Sequence, residues 1–100
     1  MKLGILVNTD KNLPDVIGIT NSAIAKGHSV IIFAMDLGTH LLANADFSSL
    51  SAIDGVTMSF CAHSAEDMGA KTDGLPEAIA HGSQFHNASM NNESDKVIVL

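Results

Sequence analysis

Cys61 is the side chain in this sequence best suited to covalent chemistry, and it is the only cysteine among 100 residues. It closes the apolar run Val56 to Phe60. It precedes Ser64 to Met68, which reads as a short helix with Ser64 and Asp67 spaced as a capping pair. A sulfur just ahead of a helix start meets free N–H groups and the positive end of the dipole, and both favour a thiolate. A thiolate is a nucleophile and can hold a second sulfur as a persulfide. Glu66 and Asp67 oppose that charge. The competing reading is a buried cysteine that behaves as a small hydrophobe. His63 is either a base that tunes the thiol or a solvated histidine.

The other polar candidates follow apolar runs in the same way. Asn8, Thr9 and Asp10 come after the first run, and Asp36 and Gly38 after the second. Ser64 joins Cys61 and His63 after the third. Asn8 and Thr9 can bond a ligand or hold a turn. Asp36 is a general acid or the cap of the next helix. Cys61, His63, His81 and His86 are a conceivable four-ligand set, but their spacing matches no zinc pattern, so no metal is expected. The P-loop, the dinucleotide fingerprint, C-x-x-C, G-x-S-x-G and H-E-x-x-H are all missing, and no cofactor is expected.

These groups need a scaffold that gathers strand ends. Leu3–Val7, Val30–Met35, Val56–Phe60 and Val97–Leu100 have strand length. Most are continuously apolar, as in strands covered on both faces. Helical patterns alternate with them. One runs from about Leu13 to Lys26, with Pro14 at its start and Gly27 as its stop. A second covers Gly38 to Ala45, and a short turn is expected within 46–53. Lys71 to Leu75 reads as loop, Pro76 opens another short helix, and Ser83 caps a last helix from Gln84 to about Asn92. The alternation predicts a single α/β domain over residues 1–100, flavodoxin-like or Rossmann-like. It would be a three-layer sandwich around a mostly parallel sheet of four to five strands. In such sheets ligands bind outside the carboxyl ends of the strands.

Composition narrows the partners. The formal charge is −6, and all five basic residues are lysines. With no basic stripe and no arginine, nucleic acid is not an expected partner. No apolar stretch reaches membrane-spanning length, and the N-terminus lacks a signal-peptide pattern. A lone cysteine suits a reducing compartment, so the expected location is the cytoplasm.

Three segments and the closing strand together resemble the DsrE/DsrF-like family of small sulfur-relay proteins, which includes TusD-type subunits. They are Lys2 to Thr9 with the helix ending Ala25-Lys26-Gly27-His28, the stretch Val30 to Leu42, and Gly55 to Gly69, followed by Ser94 to Leu100. The resemblance implies that Cys61 carries the transferred sulfur, received from a donor protein and passed to an acceptor. It also implies a homo-oligomer, trimeric or hexameric, with the site near a subunit boundary. The alternatives are a non-catalytic module that binds a small ligand or nucleotide, and a structural subunit with an inert Cys61.

Overall fold

The computed structural model describes all 100 residues. Five strands form one parallel sheet: β1 (Lys2–Val7), β2 (Ser29–Ala34), β3 (Val56–Cys61), β4 (Ile79–Gly82) and β5 (Lys96–Val99). The helices are α1 (Leu13–Ala25), α2 (Ala45–Ser48), α3 (Ala62–Asp67) and α4 (Gln84–Glu93), with 3-10 segments at Asp36–Ala43 and Ser49–Ala52. The spatial strand order is β4-β3-β2-β1-β5. The expected α/β class and parallel sheet are therefore present, with the upper strand number.

The strand order dictates the layers. From β1 to β4 each crossover steps one strand in the same direction. The last crossover reverses and places β5 on the far side of β1. Right-handed connections then put everything before β4 on one face and α4 on the other. The side chains agree. Ile5, Val7, Val30, Ile32, Met58, Phe60 and Ile79 face a large core, filled from the helical side by Val16, Leu42, Phe47, Leu50 and Ala65. The opposite face buries only Phe33, Cys61 and Met90, with Leu6, Ile31, Met35 and Val97 half-buried around them. Two adjacent residues of β3, Phe60 and Cys61, thus belong to different cores, as strand alternation requires.

Four sequence expectations change. Residues 76–82 hold no helix; they lead into strand β4, which pairs with β3 from Met58↔Ile79 to Cys61↔Gly82. The helix expected from Gly38 to Ala45 is a 3-10 segment that starts at Asp36. Asp36 itself has φ 48 and does not cap; its carbonyl accepts a 2.7 Å bond from the Thr39 hydroxyl. Ser64 is not the cap of α3, because the helix starts two residues earlier and Cys61 holds the cap position.

The tight start of the 3-10 segment depends on Gly38. A β-carbon there would be driven into the Val7 carbonyl at the end of β1. Backbone cannot give way as a flexible side chain would, so Gly38→Ala should cost about 3 kcal/mol or more. Gly18 is the control: it is exposed within α1, and a β-carbon there meets nothing within 4 Å. Gly18→Ala should stabilise by about 0.5–1 kcal/mol. Urea denaturation of both variants checks the opposite signs.

Candidate functional site

Adjacent strands whose outgoing connections leave toward opposite faces open a crevice at their carboxyl ends. Here those strands are β3 and β4: β3 runs into α3 on the large-core face, and β4 runs into α4 on the other. Cys61 and Gly82 are register partners at this point. Cys61 therefore sits between two helix starts.

Cys61 is 4% exposed and packs with Phe33 and Met90. It accepts the Ser64 N–H at 3.5 Å, which is how it caps α3. Burial pushes the thiol pKa up. The Ser64 N–H and hydroxyl, the Gln84 amide and the His63 N–H act against burial and hold it below the ordinary thiol value. The sulfur thus lies in an apolar pocket whose few donors all favour its ionised form.

Gln84 comes from the first turn of α4. Its amide also lies 3.8 Å from the Met35 sulfur, joining α4 to the end of β2 above the thiol. Ser83 fixes that turn. Its hydroxyl accepts the Phe85 N–H at 3.2 Å, while the His86 ring accepts the Ser83 N–H at 3.3 Å. Neither Gln84 nor Met35 is near Cys61 in the chain, and only the pairing of β4 with β3 brings Gln84 there.

The other candidates take different positions. His63 is in the first turn of α3, with its side chain 84% exposed and its ring 3.2 Å from Asp67. What it offers the sulfur is its backbone N–H. Its pairing with Asp67 draws one of the two opposing acidic side chains toward a partner, weakly, since both are exposed. Ser64 is buried and is the principal donor to the thiol. Asn8 is exposed and Thr9 half-buried in the turn after β1. Asp36 is exposed at the end of β2, and Gly38 is buried against Val7 by close packing.

Of the histidines, His81 packs on Phe60 with ring centres 4.8 Å apart, and His86 caps α4. His40 lies between two loops and donates a ring N–H to one of them. One ring nitrogen is 2.8 Å from the Met68 carbonyl oxygen and the other 3.7 Å from Asp10. No three histidine, cysteine, aspartate or glutamate side chains converge as a metal-binding group. No helix is long and apolar enough to cross a membrane.

No protein-family model matches this chain, and no curated protein matches it by sequence. Its fold has clear relatives among solved structures. The protein of unknown function MTH1491 from Methanobacterium thermoautotrophicum superimposes with a TM-score of 0.80 at 18% identity, over 99% of this chain and 98% of that one. The YchN protein from E. coli superimposes with a TM-score of 0.73 at 13% identity, over the whole of both chains. At these identities the likeness is one of architecture: the chain shares the α/β fold of these two proteins.

Proposed function

We propose that this chain is a sulfur carrier of the DsrE-like kind, with Cys61 as the residue that holds the sulfur. The observation that carries the reading is the environment of the thiol: a buried sulfur whose hydrogen-bond partners outweigh burial and favour the thiolate. The thiolate attacks the terminal sulfur of a donor persulfide, the donor's S–S bond breaks, and the donor leaves as its own thiolate. Cys61 then bears the persulfide until an acceptor nucleophile takes the outer sulfur and restores the thiolate. Ser64 and Gln84 steady the charge at both ends of this cycle. Access requires the first turn of α4 to yield, because Cys61 is nearly closed off at rest.

The same reading includes self-association into a trimer or hexamer. In its support, Phe85 is 75% exposed beside the Cys61 crevice, and Val99 on the edge strand β5 is 58% exposed. Leu6 and Val97 lie half-buried on the same face as α4. Light scattering should return a mass that is a whole multiple of the protomer and greater than one.

Incubation with a cysteine desulfurase and cysteine should add the mass of one sulfur to the wild-type chain and nothing to Cys61→Ser. An unmodified wild-type chain under conditions that label a known carrier would refute the proposal.

The thiol also predicts a pH profile. With its pKa lowered on folding, iodoacetamide alkylation should rise and level off at lower pH in the folded chain than in urea. Gln84→Ala should move the folded midpoint upward, whereas His63→Ala should leave it near wild type. The linked stability has a fixed sign. The ionised sulfur's contribution is full above the unfolded-state pKa and is lost as pH falls through the folded-state pKa. Cys61→Ala should lack that increment.

A further inference from the structure

A second opening lies on the α4 face of the sheet and reaches from the amino ends of the strands up to His86. α4 alone covers this face, and it leaves a groove of about 530 Å³ between itself and the β4 edge. We propose that this groove binds an uncharged ring compound with a hydrogen-bonding edge, of about nucleoside size.

The floor is Ile31 on β2, Ser59 on β3 and Ala80 on β4, with Ser59 and Ala80 in register. The wall is His86, Ser89 and Met90, which the helical repeat places on one side of α4. The small side chains Ala80, Ser59 and Ser89 are what leave the space open. A volume in this range suits a small molecule.

Ser59 gives the groove its polar demand. The residue is 8% exposed, it lines the groove, and its hydroxyl bonds to no group of the chain. That hydroxyl is not sealed from solvent, so it opens on the groove and is free to bond an occupant. The two hydroxyls that are buried without a partner, Thr20 and Ser94, line no groove. His86 supplies a directed donor. Its Nδ1 accepts the Ser83 N–H, so in the neutral ring Nε2 carries the hydrogen. Ile31, half-buried at the floor, supplies apolar surface against which a flat ring packs.

Charge excludes anions from the groove. Glu93 lies at its far end, where α4 presents the negative end of its dipole, and Lys2 is the only cation on its rim. The chain as a whole carries −6. A nucleoside fits this pattern and a nucleotide does not.

The test is chemical-shift mapping of the ¹⁵N-labelled full chain with adenosine, uridine and nicotinamide as probes and AMP as the charged control. The expected result is saturable shifts centred on Ser59, Ala80 and His86 for at least one neutral probe. AMP should bind about tenfold or more weakly than adenosine if adenosine is the ligand. Ser59→Ala, which should fold normally, should weaken the responsive probe about tenfold. Ala80→Leu should fill the groove and abolish the shifts. Three results would each overturn the proposal: no saturable shift from any probe at millimolar concentration, shifts confined to the strand carboxyl ends, or groove resonances that move on dilution alone, which would mean that a second copy occupies it. Cys61→Ser should bind as wild type, so sulfur transfer and groove binding succeed or fail separately.

Discussion

The right-handedness of parallel crossovers is the constraint from which this molecule's asymmetry follows. Four strands laid down in one direction commit three connections to a single face. That face receives most of the large apolar side chains and becomes the main core. The one reversed connection leaves a ten-residue helix to cover the other face of a five-stranded sheet. α4 cannot shield so wide a surface. The half-buried Leu6, Ile31, Met35 and Val97, and the polar Thr57 and Ser59 where the neighbouring positions are Met58 and Phe60, are consequences of that arithmetic of area.

The reversal also decides what surrounds Cys61. Had β4 been followed by another step in the same direction, the thiol would lie beneath no second helix start. Because α4 departs to the other face, Gln84 arrives from one side and Ser64 from the other. Two opposed effects meet at the sulfur. Burial against Phe33 and Met90 disfavours charge, and a small set of oriented donors favours it. Donors held in place by a strand end and two helix starts need no rearrangement when the charge forms, which is the advantage of a prepared site over solvent.

The sequence reveals β1, β2, β3 and β5 because each carries a run of apolar residues long enough to see. β4 escapes notice for a physical reason. It is an edge strand of four residues in which only Ile79 is buried, while Ala80 and His81 are exposed on opposite faces and Pro76 nearby suggests a helix start. The Asp36–Ala43 segment reads as an α-helix by its leucines, yet the close approach of Gly38 to Val7 winds it tighter, and no local pattern announces a contact across thirty residues. Cys61 was recognisable at its strand end, but its role as cap was not, since sulfur is an unusual acceptor there and Ser64 is the conventional one. Nothing local ties Gln84 to the thiol; only the pairing of β4 with β3 brings it there.

Gly82 gives the arrangement a mechanical character. Its missing side chain is what lets the His86 ring lie flat over the strand end, since a β-carbon would strike that ring. The ring in turn holds the Ser83 N–H, so the first turn of α4 is seated on a glycine whose register partner is Cys61. The start of α4 is therefore footed on the strand end beside the sulfur. Phe85 sits in that same turn and is the most exposed of the large apolar side chains, so the glycine at the strand end also sets where that surface stands relative to the thiol.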